Sequence, residues 1–345
     1  MTHGSGAGMS VYGGQLTMTA GTISGNKATG DTRNGGGINL SYSTGTISDG
    51  TISNNRAGAS GGGISVSHSK LTISGGTVFQ DTAKIGGGIT SASIEDVITL
   101  SGGTVSNNIA TNGADVRMAG GTLYVSGNTT ISKNNSTVAA DVKNVASGGG
   151  IYHNGEGGFP VTEAAQISQN TAANGGGIFI DQGTLAMTGG TISENAANYC
   201  GDIYIADNSV NIHNELSLTG GKITKNKSAN NGGGIMNRGI LSISGTPFVA
   251  ENTKGGAYDA DTVAFTGSEK PEANNVHLLS GKQITLSGPL SNGAAIGVTT
   301  QTNPTDAKPV PITTAETGTE YYKDAARYFI PDVAMVIAQA NNSGK

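Results

Sequence analysis

The amino-acid sequence predicts an all-β protein that folds as a right-handed parallel β-helix, a three-sheet solenoid of roughly ten coils. Two phrases support this prediction. Gly-Gly-Gly-Ile and Thr-Ile-Ser-x-Asn alternate through most of the 345 residues, and each recurs roughly every 25–27 residues. A third apolar segment, such as Leu71-Thr72-Ile73, lies between them. Three short strands and three turns fill one period, so each period closes into a coil that pairs in parallel with the next.

The asparagine of the second phrase stands three residues after its aliphatic residue in nearly every period. Asparagine tolerates the left-handed backbone that a sharp corner needs, and stacked amides can hydrogen-bond from coil to coil. We therefore predict that this residue both forms a corner and contributes to an internal ladder. The predicted ladder residues are Asn26, Asn55, Asp81, Asn108, Asn134, Asn170, Asn195, Asn226 and Asn252.

The repeats lose their regularity after about residue 255. Short strand-like segments follow, then a proline-containing stretch, then a block with Tyr321, Tyr322 and Tyr328. An open solenoid end exposes an unpaired strand edge, which needs a cover. We predict β-helix repeats over residues 1–274, and irregular terminal coils with a C-terminal cap over residues 275–345.

Composition argues against several classes of function. A net charge of −5 gives no basic surface for nucleic acid, and no apolar run is long enough to insert into a membrane. The single cysteine, Cys200, excludes a disulfide framework. The five histidines are not spaced as metal ligands, so we expect neither a metal nor a cofactor.

A candidate binding site appears at the outward position that follows each Gly-Gly-Gly-Ile aliphatic residue. Large side chains begin there at the coils where the period lengthens, which indicates inserted loops at residues 135–147 and 207–215. The segment His153–Pro160 also departs from the repeat pattern. Coils about 4.8 Å apart would align the aromatic rings in a strip between the loops. Such a strip binds a glycan or an apolar peptide, or it only stabilises the sheet face. The predicted binding residues are Arg117, Tyr152, Phe179, Tyr204 and Met236.

A polysaccharide lyase or glycoside hydrolase acting in the same groove is the alternative. Such enzymes need two carboxylates roughly 5–9.5 Å apart. Asp181 and Asp207 follow the equivalent aliphatic residues of two adjacent coils and are predicted to lie about 5 Å apart. Aspartates at strand ends commonly only form hydrogen bonds within a turn, which is the alternative interpretation. Asp115 and Asp202 are predicted to face outward but lie three coils apart, too far to act together.

A second alternative is an ice-binding solenoid. The Thr and Ser residues around the third strand, as in Thr51 and Ser53, would form flat outward columns. The columns are interrupted, and such residues are also ordinary on a solvated sheet face, so this function is disfavoured. The predicted interruptions are Phe79, Gln166, Lys222 and Pro247.

The paired motifs resemble a known family. Gly35-Gly36-Gly37-Ile38 with Ile23-Ser24-Gly25-Asn26, repeated over roughly residues 20–255, is similar to the repeats of chlamydial polymorphic outer-membrane proteins and related adhesin-like β-helix proteins. The chlamydial motif favours Phe where this chain has Ile or Val. The resemblance implies an extracellular β-helix on a bacterial cell surface but no specific ligand, because such repeats specify a scaffold rather than a site. We therefore predict a non-enzymatic adhesin or stalk that binds a host glycan or protein through the aromatic strip. With no signal peptide or anchor recognisable, we expect the chain to be part of a longer protein.

Overall fold

The computed structural model describes residues 6–110, 113, 115–137, 147–207, 213–259, 264–266, 271–305, 308–315, 321–332 and 337. These residues form a parallel β-solenoid of about ten coils, as the repeats predict. Successive coils pair strand by strand in register: Ile38 lies beside Ile64, and Ile64 beside Ile89. The period in the sequence is therefore the circumference of one coil.

Three main sheets run along the solenoid. The first contains Met9–Tyr12, Ile38–Ser41, Ile64–Ser67, Ile89–Ser91, Val116–Met118, the start of Ile151–Val161, the start of Ile178–Met187, Ile203–Ile205, Ile235–Asn237 and Val276–Leu278. The second contains Gln15–Met18, Thr44–Ile47, Lys70–Ile73, Val97–Leu100, Thr122–Val125, the ends of the same two long strands, Asn214–Leu218, Ile240–Gly245, Ile284–Leu290 and Thr313–Ala315. The third contains Thr22–Ser24, Thr51–Ser53, Thr77–Phe79, Thr104–Ser106, Thr130–Ser132, Gln166–Ser168, Thr191–Ser193, Lys222–Thr224, Phe248–Ala250, Ala295–Thr300 and Phe329–Pro331.

A narrow fourth sheet, which the sequence does not predict, follows the ladder residue in most coils. Its segments are mostly two residues long, too short to show an alternating pattern. They are Lys27–Ala28, Arg56–Ala57, Ile109–Ala110, Asn135–Ser136, Thr171–Asn174, Ala196–Tyr199, Lys227–Ser228, Thr253–Lys254 and Glu272–Ala273. Outside these sheets, Ala257–Asp259 and Ala264–Thr266 form an antiparallel pair, and Tyr321–Tyr328 is a 3-10 helix near the last coils.

The core is a column of aliphatic side chains that fills the coils. Ile38, Ile64 and Ile89 are fully buried, as are Leu71 and Ile98 from the second sheet. Burial of each such side chain contributes roughly 1.5–3 kcal/mol relative to exposure. Because each coil buries its aliphatic residues against those of its neighbours, the coils stabilise one another rather than folding singly.

A polar ladder runs beside this core. The Asn55 backbone N–H and Nδ2 both donate to Asp81 Oδ1, at 2.7 and 3.0 Å, and the Asp81 N–H donates to Asn108 Oδ1 at 2.8 Å. The same relay joins all nine predicted ladder residues and then continues to Asn275 and Asp332. The amides of the ladder asparagines and the backbone N–H groups beside them are thereby paired from one coil to the next.

The predicted corner role of the ladder asparagines is wrong. The left-handed residue is the one before the ladder position, as at Gln80 (φ +56°), Lys133 (φ +59°) and Glu194 (φ +58°). That residue turns the chain, and the turn directs the following asparagine side chain inward. In the first coil this preceding residue is Gly25, the residue type that such a conformation favours.

The predicted outward orientation of Asp115 and Asp202 is also wrong, because both are fully buried. Each occupies the position of the third glycine, which lies in a turn where strand alternation does not hold. At that position a Cβ added to Gly37 would lie 3.0 Å from Asn55 Nδ2. Asp115 accepts hydrogen bonds from Asn108 Nδ2 at 2.8 Å and Asn134 Nδ2 at 2.7 Å, and Asp202 accepts them from Asn195 Nδ2 at 3.1 Å and Asn226 Nδ2 at 3.2 Å.

Candidate functional site

The predicted aromatic strip lies on the outer face of the first sheet. Parallel pairing places Arg117, Tyr152, Phe179, Tyr204 and Met236 in adjacent coils at one register position. The rings of Tyr152 and Phe179 stack with centroids 5.5 Å apart and planes 5° apart. Phe179 and Tyr204 stack at 4.8 Å and 8°. We call the three rings of Tyr152, Phe179 and Tyr204 the aromatic stack.

Both ends of the aromatic stack are closed. The Arg117 guanidinium lies 5.5 Å from the centroid of the Tyr152 ring, and the buried Met236 follows Tyr204. Burial lowers the pKa of Arg117, while the Tyr152 and Asp181 groups oppose that shift. Since each ring face is covered by a neighbour, the stack presents mainly ring edges to solvent.

Both tyrosine hydroxyls have partners within the protein. The Tyr152 hydroxyl donates to Asp181 Oδ2 at 2.7 Å, and Arg238 Nη1 donates to the Tyr204 hydroxyl at 3.0 Å. Burial is the largest cause that raises the pKa of both phenols. The stack is therefore held in place at its rims as well as along its axis. Arg238 lies one coil beyond Tyr204 and is not among the residues that the repeat pattern predicts for this site.

The two carboxylates proposed for an enzyme bond to different partners. Asp181 accepts hydrogen bonds from Tyr152 and, at 2.9 Å, from Asn154 Nδ2. Asp207 forms a half-exposed ion pair with Arg238 Nε at 2.9 Å. A catalytic pair needs one carboxyl free to donate a proton and one free to attack or activate water. In this structure Asp181 is engaged by Tyr152 and Asn154, and Asp207 by Arg238.

The inserted loops fall largely outside the described residues. Residues 138–146 and 208–212 are not among the described residues, so the predicted loops at 135–147 and 207–215 are described only at their ends. The other predicted irregularity, His153–Pro160, is part of the long strand Ile151–Val161. That strand passes from the first sheet to the second through a bulge near Asn154.

The Thr and Ser columns of the third sheet are present but are not a flat exposed surface. Ser53 and Ser106 are buried, which leaves mainly the threonine column at the surface. The fourth interruption is Phe248, which pairs with Lys222, and not the predicted Pro247. An ordered row of exposed hydroxyls therefore does not extend along this face.

Two further observations concern ligands and membranes. Across the described ranges, no three His, Cys, Asp or Glu side chains are grouped as a metal site would require. In that same portion of the chain, no helix has the length and apolar character needed to cross a membrane.

Comparison of the sequence and structure with known proteins gives no matching family model, curated protein or solved structure.

Proposed function

We propose that this chain is a non-enzymatic β-helical segment of a bacterial cell-surface protein, in which it acts as an adhesin or spacing stalk. The observation that supports this function most strongly is the polar ladder. It passes from Asn26 to Asp332 through all the coils beside one shared core. A solenoid tied together in this way is a rigid rod, and ten coils extend about 48 Å.

Partner binding on this rod is assigned to the aromatic stack and to Arg117. The rings are preorganised, because stacking and hydrogen bonds to the tyrosine hydroxyls already fix their orientation. Their faces are covered, so a sugar ring cannot lie flat on them, whereas a protein side chain can pack on the edges. We therefore favour a host-surface protein over a host glycan as the partner. Nucleic acid and membrane insertion have no part in this function.

Cell attachment tests this function. Beads coated with the chain are expected to adhere to cultured epithelial cells, and the triple variant Tyr152→Ala, Phe179→Ala, Tyr204→Ala is expected to reduce adhesion at least tenfold. Tyr124→Ala is the matched control, because Tyr124 is an exposed tyrosine, 43% accessible, on a different sheet. Thermal unfolding of each variant separates lost binding from lost folding. Equal adhesion of the wild type and a folded triple variant would overturn the assignment of the stack.

The enzyme alternative has its own measurement. Release of reducing ends from a panel of polysaccharides is expected to stay at background for the wild type. Release that disappears in an Asp181→Ala, Asp207→Ala variant would replace the adhesin with a glycan-active enzyme.

In the adhesion assay, pretreatment of the epithelial cells with protease or with glycosidases distinguishes a protein partner from a glycan partner.

A further inference from the structure

A second aromatic row lies at the corner between the first and second sheets, in the first three coils. Tyr42 and His68 stack with ring centroids 4.6 Å apart and planes 15° apart, and Tyr12 meets Tyr42 edge-on at 5.7 Å. Unlike the aromatic stack, this row is open to solvent: Tyr12 is 78% exposed and Tyr42 is 56% exposed. We call these three residues the corner row.

Tyr42 and His68 occupy a backbone conformation that is unfavourable for large side chains. Their φ angles are +50° and +51°, and the equivalent residue of the first coil is Gly13, at +65°. A non-glycine residue in this region costs roughly 1–2 kcal/mol. The exposed rings regain little of that cost through burial. The same backbone angle recurs at other corners of the solenoid, such as Gln80 and Lys133, so what distinguishes this corner is its pair of exposed, stacked rings.

The corner row borders a shallow groove of about 590 Å³. Its exposed polar lining comprises Gln15, Thr44, Lys70 and Glu95, so one positive and one negative charge are present. Aromatic surface beside amide, hydroxyl and balanced charged groups matches the mixture of C–H and O–H groups on an uncharged sugar. The charge balance does not favour a polyanion.

The backbone around the groove argues against an extended peptide as the ligand. A peptide that adds a strand needs unpaired N–H and C=O groups at a sheet edge. Here the Tyr42 N–H donates to Ser67 O, the Thr44 N–H to Gly14 O, and the Lys70 N–H to Ser43 O. These backbone groups of the second and third coils are already paired with neighbouring coils, so recognition beside them comes from side chains.

From these observations we infer that the corner row and its groove form a binding site for a neutral oligosaccharide. The exposed Tyr12 ring offers a face for a sugar to stack on, and Tyr42 and His68 extend the aromatic surface across adjacent coils. Gln15, Thr44, Lys70 and Glu95 donate and accept hydrogen bonds to the sugar hydroxyls. This site is separate from the aromatic stack in coil, in sheet position and in ligand class.

An array of neutral and acidic oligosaccharides, probed with the full chain, tests this site. Binding to at least one neutral oligosaccharide is expected, with at least a tenfold loss of affinity in the double variant Tyr42→Gly, His68→Gly. Glycine relieves the strain at both positions, so the variant is expected to unfold at a temperature no lower than that of the wild type. Tyr124→Ala is again the matched control and is expected to retain binding.

Three results would overturn this inference: no neutral oligosaccharide bound, binding restricted to acidic ones, or equal binding by wild type and the double variant. The triple variant of the aromatic stack is expected to retain glycan binding. If that triple variant loses glycan binding and the double variant does not, the sugar belongs to the stack. The corner site would then fail while the adhesin function stands.

Discussion

Asp81 occupies a ladder position that asparagine fills in the coils on either side. Burial, opposed by hydrogen bonds from Asn55, raises the pKa of its carboxyl to about 8, and its Oδ2 is buried without a hydrogen-bond partner. Burial also raises the pKa values of Asp115 and Asp202 well above the ordinary range. The folded protein therefore retains protons that the unfolded chain releases near pH ~4. The stability that these retained protons provide is fully present below pH ~4, and it is lost as the pH rises toward about 8.

The substitution Asp81→Asn tests this linkage. An amide stays neutral and its Nδ2 can donate along the ladder, so the variant is expected to match the wild type at pH ~4 and to exceed its stability by roughly 5 kcal/mol near pH ~9, because the carboxyl pKa is about 8 in the folded protein and ~4 in the unfolded chain. Urea unfolding at several pH values measures the difference. Asp49→Asn is the control, because Asp49 is exposed. Parallel pH profiles for wild type and Asp81→Asn would contradict the buried, protonated carboxyl.

The corner residue before each ladder position gives a second test. Lys133 is exposed and has a φ of +59°. Lys133→Gly is expected to leave stability unchanged or to raise it by up to about 1 kcal/mol, whereas Lys133→Val is expected to lower it by about 1–2 kcal/mol. Lys222→Val is the control, since Lys222 is exposed on a regular strand that suits a β-branched residue. Thermal unfolding distinguishes these cases; tolerance of valine at position 133 would refute the assigned corner.

Counting residues from Ile23 to Asn26 was enough to predict which side chains form the ladder. It could not show that Gly25, and not Asn26, takes the left-handed conformation, because both residue types tolerate it. Alternation likewise failed at Asp115, because it was extended backward from Val116 into a turn. A sequence period fixes which residues are equivalent, but the direction of a side chain in a turn depends on backbone angles.

At the scale of elements, the two long strands Ile151–Val161 and Ile178–Met187 join the first sheet to the second without the usual corner. The bulge that allows this passage brings Gly183 close to the preceding coil, at a φ of +108°. A Cβ added there would meet the carbonyl oxygens of Gly155 and Gly157 and the ring of His153. The sequence showed an irregular segment here but not its path, because bulges leave no periodic pattern.

Gly183→Ala is expected to destabilise the protein by about 3 kcal/mol, because the methyl group would both clash with backbone and require a strained φ. Chemical denaturation measures the loss. Gly14→Ala is the matched control: the nearest atom to its added methyl would be Val11 Cγ1, at 3.5 Å. Similar stability of the two variants would mean that the bulge can relax, contrary to the close approach seen here.

At the scale of the whole molecule, the two ends of the solenoid differ. In the first coil Val11, Leu16 and Ile23 are only partly buried against the core. At the other end Ala325, Tyr328 and Phe329 are buried, and Asp332 terminates the ladder by accepting bonds from Asn275 and Thr299. The repeats predicted the coils between the ends, whereas the C-terminal segment has no period, so the sequence could not show which of its residues pack against the last coils.

Hydrogen exchange across the chain is expected to follow this asymmetry. Amides of residues 9–28 should exchange fastest among the coils because no strand of the described residues pairs with their outer edge, and those of residues 151–205 slowest because coils cover them on both sides. Asp332→Ala removes the final ladder acceptor for two donors of Asn275 and one of Thr299, so exchange is expected to rise at residues 276–300. Asp49→Ala, which changes an exposed carboxylate, should leave that region unchanged. Uniform exchange from end to end would mean that the coils open only together, and that neither the exposed first coil nor the Asp332 cap controls local stability.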